Sequence, residues 1–332
     1  MRVVKNKYLQ YLLVGVLFAL PAIIPGVSTS TITMLGSIVY IAIAGIGVNV
    51  LLGFSGQVSL GHAAFMGLSA YMSAYLTKQL EWPFIPALIV AVLAPLLIGL
   101  VLGAIAVRLE GLYLAIATLG FGEILRQLFI EMDWFTGGFS GAAASHPVIF
   151  GHKFTKPEMY LFMVALMVLL MILVYNMMRS STGRAMIAMK SSQHAAQAMG
   201  VNIFKYKLLS FAISAIFAGI AGVCYVHFFT RTDPTRWTAV LSLDLIAVVV
   251  IGGAGTIGGA VVGAVMFNGL SELIKEIPII GEMPGMSLLI YGILMIIVLM
   301  FYPRGLINIP GGIAMWFQKR KAAAKVALKK EV

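Results

Sequence analysis

Strict alternation of polar and apolar positions, the mark of half-buried strands, is absent from this chain. Apolar residues run instead in long stretches separated by short polar or glycine-bearing breaks. A helix crossing a bilayer needs about 20 mostly apolar residues. Ten such spans are predicted, at about 8–25, 34–53, 57–77, 85–107, 111–130, 159–178, 207–229, 239–255, 257–275 and 286–302. The expected fold class is therefore an all-α bundle of transmembrane helices forming a single membrane domain over 1–332, and a β-barrel is disfavoured. Two connections are long. Residues 131–158 carry Thr136-Gly137-Gly138, Gly141 and Pro147 and read as loop. Residues 179–206 keep a helical pattern. Two glycine-rich stretches, Gly53-Phe54-Ser55-Gly56-Gln57 and Gly252-Gly253-Ala254-Gly255, sit where spans begin, as they do at discontinuous helices near a solute site.

Composition sharpens this picture. The chain is 61% apolar and 11% charged, far from a soluble domain's roughly 45–50% and 25%. So much apolar surface needs the bilayer as its solvent. The net charge of +11 is no sign of nucleic acid, because the basic residues lie between spans and at the ends instead of along one stripe. They work better as topology signals. With the N-terminus inside, Arg2, Lys5, Lys7, Arg108, Arg179, Arg184, Lys190, Lys205, Lys207, Arg304 and the tail lysines and arginine make 16 of the 23 basic residues cytoplasmic. Only 6 fall outside, so both termini are expected in the cytosol. The first apolar stretch also suits a secretory leader, but it is long, and Pro21 and Pro25 leave no small-residue cleavage site. A retained helix is expected. The basic tail 316–332 is suited to adhesion on anionic head groups. Cys224 is alone, so no intrachain disulfide is possible.

Few residues carry chemistry. Gly253, Gly255 and Gly258 spell a dinucleotide fingerprint, yet the motif needs a strand–turn–helix unit, and here apolar spans lie on both sides. Gly255, Gly259 and Gly263 read better as small-xxx-small steps for close helix packing. Ser55, Ser59, His62, Ser69 and Ser73 recur every three or four residues with Met66 in the missing step, which places them on one helical face. That stripe, with Gln57, either lines a solute pathway or bonds neighbouring helices. Glu123 and Arg126 stand one turn apart within a span, spaced to pair with each other. Asp244, expected near an outer helix end, has the charge to meet an ammonium group. Cys224 and His227 lack an orienting partner, metal-ligand spacings are absent, and so is a phosphate-binding loop. No catalytic residue, metal or cofactor is expected on this chain, and ATP, if used, must be bound elsewhere.

The connection between the sixth and seventh spans reads Gly183-Arg184-Ala185 and then His194-Ala195-Ala196-Gln197-Ala198-Met199-Gly200. It resembles the E-A-A-x-x-x-G loop by which permeases of ATP-binding-cassette importers dock on their ATPases, with His194 in place of the glutamate. The runs Gly56–Phe65, Gly111–Glu123, Thr136–Gly138, Ser242–Asp244, Val250–Thr256 and Pro303–Leu306 look like the LivM-type branched-chain amino acid permeases. The resemblance implies a type II importer fold in the bacterial inner membrane and alternating access for leucine, isoleucine and valine. It implies as partners a LivH-type permease, two cytoplasmic ATPases holding ATP and magnesium, and a periplasmic binding protein. Within the same class, urea, short amides or other amino acids are alternative cargoes. A stand-alone ion-coupled transporter or channel, working through Glu123 or Asp244, is the rival from another class.

Overall fold

The computed structural model describes residues 7–24, 26–106, 109, 111–149, 151–275, parts of 289–300, and 305–308. The expected tenth span, 286–302, and the tail 316–332 lie largely or wholly outside the described residues. Helix α1 (Lys7–Ile23) packs on α7, with Tyr8 and Tyr11 edge-on to the Tyr175 ring. Helix α2 (Thr29–Val48) starts where the Ser28 hydroxyl accepts from the Thr31 amide at 3.1 Å. It runs on into a π-helical segment, Asn49–Phe54, giving an apolar run of 26 residues. Helices α3 (His62–Lys78), α4 (Phe84–Ala106) and α5 (Leu112–Glu131) follow.

The long loop after α5 holds the short α6 (Asp133–Thr136) and β1 (Ala142–Ala143), β2 (Val148–Ile149) and β3 (His152–Lys153). Helix α7 (Lys156–Arg179) opens with a capping box, in which Glu158 accepts from the Thr155 amide at 2.7 Å and Pro157 occupies the first turn. Next come α8 (Ser181–Ser191), α9 (Gln193–Ala198) and α10 (Ile203–Phe229). Strand β4 (Arg231–Thr232) pairs antiparallel with β1, while β2 pairs with β3. Helices α11 (Ala239–Gly252) and α12 (Ile257–Lys275) complete the set.

The core is built on α10, which lies against α2, α3 and α4. Apolar burial gives little drive between helices in lipid, so close backbone approach has to supply the contact. Gly222 shows how tight this is: a Cβ there would sit 2.0 Å from the Met66 carbonyl oxygen of α3. Among the described residues five helices are long and apolar enough to cross a membrane, namely the α2 run, α4, α5, α7 and α10. The molecule is thus a helical, multi-pass membrane protein.

Two expectations are corrected. The third span does not begin at 57: helix starts only at His62, and Gln57–Gly61 is irregular, because the chain must turn back after the π segment. The eighth and ninth spans, expected as two separate crossings, form a bent pair with 115° between α11 and Ile257–Gly269. Helix α11 has 14 residues, a length of about 21 Å at ~1.5 Å per residue, short of a hydrocarbon core of about 30 Å.

Candidate functional site

The polar stripe divides at the start of α3. His62, Met66, Ser69 and Ser73 lie on one face of the helix, all buried, whereas Ser55, Gln57 and Ser59 precede it. Each of the polar side chains makes a hydrogen bond, although Gln57 Oε1 and His62 Nδ1 are buried without a partner. Ser55 donates to the Leu51 carbonyl at 2.6 Å, and the Ser59 hydroxyl accepts from the Gly61 amide at 3.4 Å. Gln57 donates to Ser210 of α10 at 2.6 Å and to Ser55 at 3.0 Å. His62 Nε2 lies 2.6 Å from the Ser214 hydroxyl, whose own proton goes to the Gly47 carbonyl at 2.8 Å. The ring is therefore the donor at Nε2. Ser69 donates to the Ala91 carbonyl of α4 at 2.8 Å. His227 of α10 lies 2.9 Å from the Ser145 carbonyl through Nδ1, which must donate there, leaving Nε2 to accept from Ser73 at 2.8 Å.

With 1–4% exposure, Ser55, Gln57, Ser59 and His62 touch no open space in this conformation. Gln57 and His62 bond across to α10, while Ser55 and Ser59 bond within their own segment, as expected where a polar group in hydrocarbon needs a partner inside the protein. The backbone at the start of α3 is served likewise. The Leu60 amide donates to Thr118 of α5 at 2.9 Å and the Ala63 amide to Ser242 of α11 at 3.0 Å. These bonds satisfy amides that a helix start leaves without partners.

The two glycine-rich stretches, far apart in sequence, meet. Asn49 bridges them, accepting from the Gly255 amide at 2.8 Å and donating to the Thr256 carbonyl at 2.8 Å. A Cβ on Gly53 would lie 2.5 Å from the Gly255 nitrogen, so the backbones are nearly in contact. Gly255 has φ +83° and lies in the break, not on a helix, which corrects its place in the packing series. Gly259 and Gly263 do serve packing: a Cβ on Gly263 would meet the Val248 carbonyl at 1.9 Å, and one on Gly259 the Gly253 carbonyl at 2.5 Å. The dinucleotide fingerprint thus falls on a helix break with no strand beside it.

The 179–206 connection forms α8 and α9. Gly183 is buried where α8 turns off α7, 2.3 Å from the Met178 carbonyl if it carried a Cβ. Arg184 is exposed and donates to the Arg179 carbonyl at 3.2 Å. In α9, Ala196 is buried while His194 and Ala195 are exposed. Gly200 ends the turn at φ +84° with nothing near its missing Cβ. Gln193, His194, Gln197, Gly200, Asn202 and Phe204 border an open cavity of about 540 Å³. Beside it Met199 is 85% exposed and Phe204 50%, apolar side chains turned outward.

Glu123 and Arg126 form an ion pair on α5, with the Glu123 side chain 51% exposed. Asp244 is half-buried on α11. Arg236 acts on it electrostatically, and the Arg236 guanidinium donates to the Tyr40 hydroxyl and stands 5.3 Å from the Tyr225 ring centre. Cys224 is buried. Asn49, Lys190, Ser210, Ser214, Ser242 and Thr118 all escape a reading by spacing, because their partners lie on other helices. Only their polarity within apolar runs marks them out.

Residues 30–299 match the family described as branched-chain amino acid transport system, permease component. The chain is 31% identical over 329 residues to the high-affinity branched-chain amino acid transport system permease protein LivM of Salmonella typhimurium, covering 92% of this chain and 75% of that one. It is 31% identical over 306 residues to the protein of the same name from Escherichia coli, covering 85% and 69%. A probable LivM permease of Methanocaldococcus jannaschii is 26% identical over 241 residues, covering 66% and 68%. No solved structure matches.

Proposed function

The chain belongs to the family of branched-chain amino acid transport permease components, and from that premise we propose that it carries leucine, isoleucine and valine inward as one subunit of an ATP-driven importer. As a family member it is a transport subunit and not an enzyme. Its proposed setting is the bacterial inner membrane, with ten spans, both termini in the cytosol and a type II importer architecture. Its proposed partners are a LivH-type permease, two cytoplasmic ATPases that bind ATP and magnesium, and a periplasmic binding protein that delivers the solute. This chain holds no cofactor of its own in this reading.

One observation carries the proposal. The α8–α9 connection presents Met199 and Phe204 outward beside an open cavity, at the same end of the bundle as the glycine joint. Exposed apolar side chains around a concave surface suit a docked protein partner. In this reading His194, Ala195, Ala196 and Gly200 seat on an ATPase, and its closure moves the connection. Each access state is favoured by a different partner state, which is what mechanical coupling requires. Glu123 on the outward face of α5, and not the buried stripe of α3, is then the proposed pathway side chain.

Reconstitution in liposomes with all partners tests this. A Cβ added at Gly200 meets nothing within 4 Å, but Gly200→Leu puts a branched side chain at φ +84°, a strain of about 1–2 kcal/mol. ATP-driven leucine uptake is expected to fall about tenfold or more while the ATPases keep hydrolysing. Uptake equal to the parent's, or uptake without any ATPase present, would count against the assignment.

A further inference from the structure

Lys190 sits in α8, two residues before the connection turns into α9. Its ammonium donates to the Gly53 carbonyl at 2.6 Å, 137 residues away in sequence. Gly53 lies in the last turn of the π segment, where a helix leaves carbonyls without intrahelical partners and where a cation is electrostatically favoured. The same ammonium lies 3.9 Å from where a Gly255 Cβ would be, and a Cβ on Gly56 would lie 3.0 Å from Lys190 Cγ. Lys190 therefore reaches both interrupted helices where Asn49 joins them through the Gly255 amide and the Thr256 carbonyl, each at 2.8 Å.

We propose that Lys190 is a positioning residue for transport, tying α8 to the joint of the two interrupted helices so that displacement of the 179–206 connection is delivered to Gly53 and Gly255. Without this tie, α8 moves against the bundle and the joint stays in place. The joint itself is suited to bend. It holds a π segment, a feature frequent at functional sites, and glycines at φ +124° and +83° on Gly253 and Gly255. The α3 side moves with it, because the irregular Gln57–Gly61 stretch links Gly53 to His62. The proposal rests on the importer reading above for its consequence in transport, but the tie is testable without it.

Two measurements separate these layers. In the first, the purified chain in lipid nanodiscs is followed by amide hydrogen exchange with Lys190→Met. Exchange of the peptide spanning Gly252–Thr256 is expected to rise about tenfold, the scale of one lost charge-assisted hydrogen bond, with α4 unchanged and Lys190→Arg close to the parent. Unaltered exchange there would overturn the tie. In the second, the full complex in liposomes is expected to lose leucine uptake per ATP about tenfold with Lys190→Met, while hydrolysis stimulated by loaded binding protein stays within about twofold. Asn49→Ala should uncouple likewise, and the double variant should be no worse than either single one. Parallel loss of hydrolysis and uptake, or full uptake by both single variants, would overturn the transport role. A parent complex that takes up no leucine under ATP would sink the importer reading instead, and the exchange result would still decide the tie.

Discussion

Helices α10 and α5 are both long and apolar enough to cross a bilayer, and they solve opposite problems. Most of α10 is buried, 83% of its apolar window against 28% for α5. Its polar side chains, Ser210, Ser214 and His227, are each bonded to α3 or to nearby backbone at 2.6–2.9 Å. Helix α5 turns Gly120, Glu123, Ile124, Gln127 and Glu131 outward. Glu123 pairs with Arg126 and Gln127 bonds Glu131 at 3.0 Å, so their partners lie on α5 itself. An exposed ion pair midway along a spanning helix is costly against lipid tails. The contrast separates two uses of polarity: in α10 it locks a bundle, and in α5 it marks a face that requires a polar neighbour beyond the described residues or an aqueous path.

The contrast can be broken from either side. The largest effect is expected from Gly222→Val on α10. Its Cβ would lie 2.0 Å from the Met66 carbonyl, so α3 and α10 must separate, at about 3 kcal/mol or more. Loss of monodisperse protein on gel filtration, or a clear fall in melting temperature, checks this. A parent-like melt would mean that the α3–α10 contact does not hold the core. Next, Glu123→Leu should leave the melt of the isolated subunit unchanged within about 0.5 kcal/mol and yet lower uptake by the assembled complex about tenfold, some 1.4 kcal/mol. A destabilised subunit with normal uptake would reverse the roles of the two helices. The smallest effect belongs to Ser73→Ala, which removes the partner of His227 Nε2. About 1 kcal/mol of stability should go, with transport kept. A transport defect at full stability would instead place that bond on the working path.

Helices α1, α4, α5, α7 and α10 begin and end within a few residues of long apolar stretches, because length and apolarity, both local properties, dictate such helices. The boundary of α3 was less legible. Residues 57–61 are no more polar than many helical segments, and what unwinds them is the turn out of the π segment and the side chain of Thr118, which receives the Leu60 amide. The stripe on α3 was visible as periodicity, but its purpose was not. Spacing shows that side chains share a face and is silent on what stands opposite. Lys190 entered the sequence reading only as one basic residue among the cytoplasmic sixteen.

The sequence by itself determined the solvent, since 61% apolar residues in long runs have no aqueous solution, and it placed the two glycine interruptions and the short helical connection. Only the tertiary structure decided that the interruptions touch, that α11 and α12 fold back by 115°, and that α8 reaches their joint. Glycine specifies where a backbone is free to turn or to be approached. Which backbone approaches is a property of the packed whole, set by residues as remote as Asn49 and Thr256, which are 207 positions apart.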